Sequence, residues 1–203
     1  MAKILFSPIG GSDPIRNFRD GSMLHICRYY LPDKVILYLT GEMYQHHLQD
    51  NRYVYCLEEL SKKISHPFDI EIITRDELKE VQDYEYFYDD FRTCIGQITS
   101  QMNSEDELFL NVSSGTPAMK NALIILATLA EFSFKPIQVS TPLKRSNYMD
   151  ENVRKYEVEE QWLLDEDNEE NADVTSRCEE VKSLNLIKLL KTNILEKHLM
   201  AYD

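Results

Sequence analysis

Residues 3–14 read KILFSPIGGSDP, an apolar, strand-like run that ends in a loop of small residues. Residues 107–117 read ELFLNVSSGTP and have the same arrangement. Strands that are apolar throughout are typical of parallel sheets covered by helices on both faces. The two segments therefore predict a parallel sheet with two small-residue loops at the carboxyl ends of its strands.

The rest of the chain alternates apolar runs with helical patterns. The five strand candidates are residues 3–8, 34–40, 69–74, 107–112 and 136–141. The helix candidates are residues 20–31, 42–65, 84–102 and 118–132, the last of which is apolar almost all round and predicts a deeply packed helix. We expect an α/β fold: a Rossmann-like open, mainly parallel sheet with helices on both faces, plus a short C-terminal helical segment.

The composition excludes several classes of protein. The 203 residues, 43% of them hydrophobic, suit one compact domain, or one domain plus a small appendage. The net charge of −13 disfavours a protein that holds long nucleic acid through its overall field. No run approaches the roughly 18 apolar residues of a membrane span, and the N-terminus lacks a signal-peptide pattern. We expect a cytoplasmic protein that binds neither membrane nor DNA.

The cysteines and histidines form no metal-binding pattern. Cys27, Cys56, Cys94 and Cys178 lie far apart, with no CxxC pair and no matching His spacing. We expect reduced, mostly buried thiols, no metal site and no cofactor. The adjacent pair at 46–47, His46 and His47, lies on a polar predicted helix with no third ligand in view, and we interpret it as solvated.

The chain changes character after the fifth strand. Residues 144–147 predict an exposed turn and residues 153–160 a possible strand. Residues 157–173 contain nine carboxylates and no Lys or Arg, which is typical of a solvated loop. A calcium-binding loop is the alternative, but Glu170 stands where that loop needs Gly, and Ser176 where it needs Glu.

The last part of the chain returns to a helical pattern with one apolar face. Its apolar residues are Leu184, Ile187, Leu190, Ile194 and Leu199. Two short helices cannot bury such faces alone, so they need another chain or a further domain. We divide the chain into a domain at residues 1–173 and a helical segment at residues 174–203.

The two small-residue loops carry the candidate site. In an open sheet of order 3-2-1-4-5, strands 1 and 4 are neighbours where the winding reverses, and ligands bind in the crevice there. Gly lets a ligand approach the backbone, Ser and Thr supply hydroxyls, and a helix start presents unpaired N–H groups to an anion. Thr116 is the expected N-cap and Pro117 the first helical residue. Phosphate is the expected ligand group.

A simpler interpretation is that both loops are ordinary turns, which are rich in the same residue types. Their joint placement favours a ligand site. The sequence contains no GxGxxG, GxxxxGK[ST] or GxSxG motif, which disfavours a conventional NAD enzyme, a P-loop ATPase or an α/β-hydrolase.

Two segments together resemble a known family: ILFSPIGGSDPIRNFRDGSMLHICRYYLPDKVILYLTGEM at residues 4–43 and LFLNVSSGTPAMKNAL at residues 108–123. They are similar to the N-terminal CARF domain (CRISPR-associated Rossmann fold) of type III-A CRISPR effector ribonucleases. The resemblance implies a homodimeric sensor of cyclic oligoadenylate, with cyclic hexaadenylate as the expected form, in antiviral defence. It places the ligand across the dimer axis, against both loops. Relatives often carry Asn where this chain has Gly11, so a side-chain contact from that position is lost or replaced.

The resemblance also implies what lies outside the chain. Full-length relatives continue through a helical linker into a HEPN ribonuclease domain with an Arg-x4-6-His motif. We interpret residues 174–203 as the start of that linker, and linear RNA as a partner of the missing domain only. Arg19 and His25 match the motif spacing, but they fall at the first helix of the sheet layer, where we expect His25 to pack near the sheet.

Three functions compete. The leading one is a receptor that regulates a nuclease outside this chain, by binding cyclic oligoadenylate or another nucleotide. The second is a slow, metal-independent ring nuclease, with Thr116 contacting phosphate and Asp13 orienting a ribose. A DNA-binding regulator would need a basic helix-turn-helix after residue 174, which the acidic sequence before it disfavours. The ligand-binding candidates are Gly10, Gly11, Ser12, Asp13, Thr40, Ser113, Ser114, Gly115, Thr116, Met119 and Lys120.

Overall fold

The computed structural model describes residues 1–78, 80–129, 133–141, 156–169, 175–182, 189 and 192–194. The strands are β1 (Lys3–Pro8), β2 (Ile15–Arg16), β3 (Arg19–Asp20), β4 (Lys34–Thr40), β5 (Asp69–Arg75), β6 (Glu107–Asn111), β7 (Lys135–Val139) and β8 (Cys178–Glu180). The helices are α1 (Ser22–Tyr30), α2 (Gly41–Asp50), α3 (Arg52–Ile64), α4 (Tyr84–Gln101), α5 (Pro117–Leu129) and α6 (Val158–Leu163), with a 3-10 helix at Glu166–Asn168.

Six strands form one sheet in the order β5-β4-β1-β6-β7-β8. The first five are parallel, and their order is the predicted 3-2-1-4-5, so the Rossmann-like α/β fold is confirmed. β8 is an added edge strand that runs antiparallel to β7. Because β1 pairs directly with β6, the loops that follow these two strands start side by side.

Helices cover both faces of the sheet because successive strand residues point to opposite faces. In β1, Leu5 packs in the core layer that contains residues of α1 and α3, and Phe6 packs in the layer that contains residues of α4 and α5. This two-sided burial explains why the strands are apolar throughout. Helix α5 is less deeply packed than predicted, because Ile125 and Leu129 expose 39% and 51% of their surface.

Two local turns alter the predicted helices. The helix predicted over residues 42–65 is divided at Asn51, whose left-handed backbone (φ 55°) ends α2 while its N–H donates to the carbonyl of His47. The first helix begins at Ser22, because the preceding residues form the β2–β3 hairpin. Asn17 and Phe18 at its tip both have positive φ, as a tight hairpin turn of this kind requires.

Two predictions for the C-terminal part are wrong in the residues that the structure describes. The predicted strand at 153–160 contains the start of helix α6 from Val158, and its residues 153–155 lie outside the described part. The helical pattern predicted from residue 174 contains strand β8, which pairs the otherwise unpaired edge of β7. Residues 192–194 are helical, whereas the turn at 144–147 and most other residues after 182 are not described.

The acidic residues 157–173 do not form a solvated loop throughout. Val158 and Trp162 anchor α6 in the core, and Asp165 and Asp167 expose only 2% and 4% of their surface. Among the helices that the structure describes, none has the length and apolar character needed to cross a membrane.

Candidate functional site

The carboxylate of Asp13 joins the two loops. It accepts a hydrogen bond from the hydroxyl of Ser114, which lies 101 residues away in sequence. It also accepts the backbone N–H groups of Met23 (3.0 Å) and Gly10 (3.4 Å). Burial raises the pKa of Asp13, and these hydrogen bonds offset the rise only in part. Asp13 therefore connects the first loop, the second loop and the first turn of α1.

Glycines allow the loop backbones to approach each other. A Cβ added to Gly10 would lie 2.7 Å from the backbone nitrogen of Gly115. Gly115 itself has φ +85°, and a Cβ there would lie 2.6 Å from the sulfur of Met119. Gly11 differs, since it is exposed and an added Cβ would meet nothing within 4 Å. Gly10 and Gly115 thus allow the loops to pack closely, Gly115 is still half-exposed, and Gly11 presents open backbone.

Beneath the loops, Asn111 at the end of β6 forms a buried polar centre. Its side-chain amide nitrogen donates to the hydroxyls of Ser7 (2.9 Å) and Ser22 (3.0 Å), and its side-chain oxygen accepts the N–H of Ser113 (3.0 Å). The hydroxyl of Ser113 in turn accepts the N–H of Val139 (2.7 Å). Asn111 was missed in the sequence because it reads as one polar residue inside an apolar strand.

The second loop ends at the start of α5, as predicted. The Thr116 hydroxyl accepts the N–H of Met119 at 3.4 Å, so Thr116 has the geometry of an N-cap, and Pro117 occupies the first helical turn. Met119 is buried with its sulfur against the Thr116 N–H, whereas Thr116 and Lys120 remain half-exposed. An anion near this helix start would meet a hydroxyl, backbone N–H groups and an ammonium.

The remaining candidates take different positions around these loops. Thr40 ends β4, the neighbour of β1, and is buried with 4% of its surface exposed. Ser12 is half-exposed and lies beside a cavity of about 90 Å³. The cavity is lined by Ser12, Arg16, Asn17, Asp20, Gly21, Ser22, Ser113, Val139, Ser140, Thr141 and Arg177. The sequence did not indicate Ser140, Thr141 or Arg177, because they come from distant parts of the chain.

A buried charge cluster lies behind this cavity. Asp20 accepts two hydrogen bonds from Arg28 (2.7 and 2.9 Å), and Asp167 accepts one from Arg19 (2.8 Å) and one from Arg177 (3.1 Å). Burial alone would raise the pKa of Asp20, but hydrogen bonds from His25 and Arg28 outweigh it and hold the pKa well below its usual value. Asp167, a member of the acidic run, is thus paired with arginines from elsewhere in the chain.

His25 belongs to this cluster and not to a catalytic centre. Its ring is fully buried, its Nδ1 lies 3.3 Å from Asp20, and its Nε2 accepts the backbone N–H of Arg177 at 3.0 Å. Arg19, the other half of the Arg-x4-6-His match, pairs with Glu166 and Asp167. Asp20, His25 and Asp167 lie close enough to hold a metal ion, but arginines already donate to both carboxylates.

Asp165 is the one carboxyl of the cluster that needs a proton. Burial, followed by the nearby charge of Asp20, raises its pKa well above the usual value for Asp. Its Oδ1 accepts the N–H of Asp167, while Oδ2 is buried with no donor in reach. A proton on Asp165 gives it a hydrogen to donate to Asp20, which explains how two carboxyl groups can be buried together.

The other titratable candidates are structural. The four cysteines are free, and Cys27, Cys56 and Cys94 are buried. His46 and His47 are half-buried on α2, less solvated than expected, and the His47 ring stacks on Tyr53 at 5.9 Å.

Comparison with known proteins gives a consistent result. A family model described as the Cas_Csm6 CARF domain matches residues 69–178. The CRISPR system endoribonuclease Csm6 of Enterococcus italicus is 34% identical over 206 residues, which cover 99% of this chain and 46% of that protein. The Mycobacterium tuberculosis protein of the same description is 33% identical over 202 residues, covering 98% of this chain and 47% of that protein.

A solved structure of Enterococcus italicus Csm6 bound to cyclic hexa-2'-fluoro-hexa-dAMP superposes with a TM-score of 0.79 at 32% identity. The match covers 100% of this chain and 46% of that one. The chain therefore spans about half the length of the curated relatives that it matches.

Proposed function

Because this chain belongs to the Csm6 CARF family, we propose that it is the sensor domain of a CRISPR endoribonuclease and that it binds a cyclic oligoadenylate in antiviral defence. The observation that carries the proposal is the meeting of the two loops through Asp13 and Ser114 at the carboxyl ends of β1 and β6. Cyclic hexaadenylate is the form we propose, since the Enterococcus italicus relative binds a six-membered cyclic analogue.

The loop residues divide into two roles in this proposal. Gly11, Ser12, Gly115, Thr116 and Lys120 are exposed or half-exposed, and we assign them direct contacts with the ligand. The other candidates hold the loops in place and are largely engaged within the protein: Gly10, Asp13, Thr40, Ser113, Ser114 and Met119. Asp13 in particular acts as a positioning residue, because both of its oxygens already accept hydrogen bonds.

Electrostatics at the site are more favourable to phosphate than the net charge of −13 indicates. Arg16 and Arg177 lie on the wall of the cavity beside Ser12 and Ser113, and Lys120 lies one turn into α5. Arg16 is exposed, so its guanidinium is accessible to an anion. Backbone N–H groups, hydroxyls and a few cations together supply the contacts that a phosphodiester needs.

We propose a homodimer, and the surface of α5 supports it. Ile125 and Leu129, one helical turn apart, are exposed on α5 and form an apolar stripe that begins about two turns beyond the ligand loop. A second copy of the chain that packs on this stripe would bring two copies of each loop together. A ring with an even number of nucleotides can share the resulting two-fold symmetry, so one ring per dimer is expected.

Calorimetric titration with cyclic tetraadenylate and cyclic hexaadenylate tests the proposal, with the oligomeric state measured by light scattering. We expect tight binding of the six-membered ring at one ring per two chains. Linear hexaadenylate is the matched control and should bind much more weakly. Absence of binding by either ring would overturn the proposal.

The rest of the proposal concerns the longer protein. We propose that residues 174–203 lead into a helical linker to a HEPN ribonuclease domain, with β8 still part of the sensor sheet. Linear RNA would be a substrate of that domain only, and the protein would act in the cytoplasm. The chain alone should not degrade linear RNA. Its Arg19 and His25 match the spacing of the HEPN Arg-x4-6-His motif, but His25 is fully buried.

A second candidate function is slow opening of the bound ring. The supporting observation is the half-exposed Thr116 hydroxyl at the start of α5, beside backbone N–H groups and Lys120. In this step a ribose 2′-oxygen attacks its neighbouring phosphate in line, the P–O5′ bond breaks, and the products are a 2′,3′-cyclic phosphate and a 5′-hydroxyl that takes up the proton lost by the 2′-hydroxyl. The step needs an aligned geometry and stabilisation of the charged phosphate oxygens. No His stands in either loop to act as a general base, so turnover would be slow.

A further inference from the structure

Arg177 stands between the cavity and the C-terminal strand. It lines the cavity together with Ser12 and Ser113, two of the predicted ligand residues, and it immediately precedes β8. From this position we infer that Arg177 couples occupation of the ligand site to the position of β8, an inference that rests on the proposed function.

The bonds of Arg177 connect four elements. Its backbone N–H donates to His25 of α1 (3.0 Å), and its guanidinium donates to Asp167 of the 3-10 helix (3.1 Å). The guanidinium also donates to the backbone carbonyls of Asp20 (3.0 Å) and Ser140 (3.0 Å), the second of which follows β7. A shift of this one side chain would therefore change contacts with α1, β3, the 3-10 helix and the end of β7.

Strand β8 is held by few bonds outside this junction. It has three residues, and among the residues that the structure describes it pairs with one strand, β7. The Ser140 N–H donates to the carbonyl of Arg177 (2.9 Å), and the Val181 N–H donates to Pro136 (2.8 Å), so these two bonds flank the strand. A three-residue edge strand with one partner has little stability of its own, and its position depends on such anchors.

A phosphate in the cavity would compete for the Arg177 guanidinium. Two of its present acceptors are neutral carbonyls, and only Asp167 is a carboxylate. Guanidinium binds phosphate with two parallel, charge-assisted hydrogen bonds, which are roughly twice as strong as bonds to neutral acceptors. Ligand binding would thus exchange the carbonyl bonds of Arg177 for phosphate bonds and release the start of β8 from Ser140.

Amide hydrogen exchange of the Ser140 and Val181 N–H groups, with and without saturating cyclic hexaadenylate, tests this coupling. In the parent chain we expect the ligand to raise the exchange rate of one or both N–H groups by about tenfold or more, because the start of β8 is released. Arg177→Lys keeps the positive charge but loses the planar guanidinium, so binding should weaken by about tenfold or more. At saturating ligand the exchange response should still be lost in this variant.

Arg19→Lys is the matched control. Arg19 bonds to the same Asp167 but does not line the cavity, so this variant should keep both binding and the exchange response. Asp167→Asn serves as a second variant if Arg177→Lys does not fold. It leaves Arg177 in place but removes its carboxylate anchor, so exchange at Ser140 and Val181 should already be faster without ligand.

The outcomes separate the two proposals. If the parent chain does not bind cyclic hexaadenylate, the proposed function fails and this inference fails with it. Binding that leaves exchange at both sites unchanged would overturn the coupling alone. A full exchange response in Arg177→Lys would likewise remove Arg177 from that role.

Discussion

The Asp13 carboxylate and the Ser114 hydroxyl form a buried hydrogen bond that links the loop after β1 to the loop after β6. The strands themselves are neighbours, and this bond joins the side chains of the loops that follow them. Asp13 is desolvated, so each hydrogen bond to it compensates part of the free energy lost on burial. This side-chain pair therefore contributes to the relative position of the two loops, together with the close approach of Gly10 to Gly115 and the Asn111 hydrogen bonds beneath them.

Ser114→Ala tests this relationship. The substitution leaves the buried Asp13 oxygen without its hydroxyl donor, so the free energy of unfolding should fall by about 1 to 3 kcal/mol. Chemical denaturation at neutral pH measures this change in stability. Ligand affinity should also fall, because the two loops are no longer held in their relative positions by this bond. Ser100→Ala, on the exposed surface of α4, is the control and should change stability little. Equal stability of Ser114→Ala and the parent would contradict the assigned role.

Gly11→Val and Gly115→Val should behave differently. A side chain at Gly11 enters open space, so Gly11→Val should keep the melting temperature of the parent while weakening ligand binding by about tenfold or more. Gly115→Val should lower both the melting temperature and the ligand affinity, because Gly115 has positive φ and no room for a Cβ. Thermal unfolding and calorimetry on the same samples distinguish the cases. Unchanged affinity in Gly11→Val would show that the ligand does not approach that backbone.

Local sequence was sufficient to predict the parallel sheet and the position of the two loops at its edge. The three central strands β1, β4 and β6 are largely apolar runs, and parallel order alone brings the loops after β1 and β6 together. The charge cluster could not be predicted in this way. Residues 157–173 contain no Lys or Arg, so their carboxylates appeared solvated, yet Arg19 and Asp167 meet across 148 residues of sequence.

The same reason explains why Arg177 and β8 were missed. A three-residue strand has too short a pattern to stand out beside a helical one, and its place is set by the free edge of β7. The cavity is likewise assembled from three segments of the chain, residues 12–22, 113 and 139–141, with Arg177 as the fourth contribution. Tertiary contacts of this kind leave no local signal.

Ile125→Asp tests the dimer. A carboxylate on the apolar stripe of α5 would be buried without a partner in the dimer but solvated in the monomer, so self-association should weaken by at least about 100-fold. Light scattering across a concentration series measures the change. Leu48→Asp is the control, since Leu48 exposes 60% of its surface on α2 and should not affect association. A parent chain that is monomeric at every concentration would contradict the proposed dimer.

Asp165 should make stability depend on pH. Its raised pKa keeps it protonated in the folded protein, while the unfolded chain loses that proton above about pH 4. The folded state then binds the extra proton, so the free energy of unfolding should fall as pH rises, by up to about 1.4 kcal/mol per pH unit. The fall ends when the pH passes the raised pKa of Asp165 in the folded state.

Asp165→Asn should remove this contribution, because the amide donates to Asp20 without a titrating proton. Denaturation between about pH 5 and pH 8 should show a flatter profile than the parent and greater stability at the upper end. Glu160→Gln, on the exposed side of α6, is the control and should keep the parent profile. A parent-like slope in Asp165→Asn would assign the pH dependence to other groups.

The proposed ring opening should depend on Thr116 more strongly than ligand binding does. Thr116→Ala removes the N-cap of α5, which costs about 0.5 to 2 kcal/mol of stability, and also removes the hydroxyl nearest the proposed phosphate. Loss of one donor to a developing oxyanion slows a reaction by about 100-fold or more, whereas loss of one contact weakens binding much less. Incubation with excess cyclic hexaadenylate should yield linear fragments that end in 2′,3′-cyclic phosphate, formed more slowly by Thr116→Ala.

Thr116→Ser keeps both the cap and the hydroxyl and should restore the rate, which mass spectrometry of the products measures. A ring that stays intact after prolonged incubation with the parent would leave the chain as a receptor alone, because the same contacts would then serve only to hold the ligand.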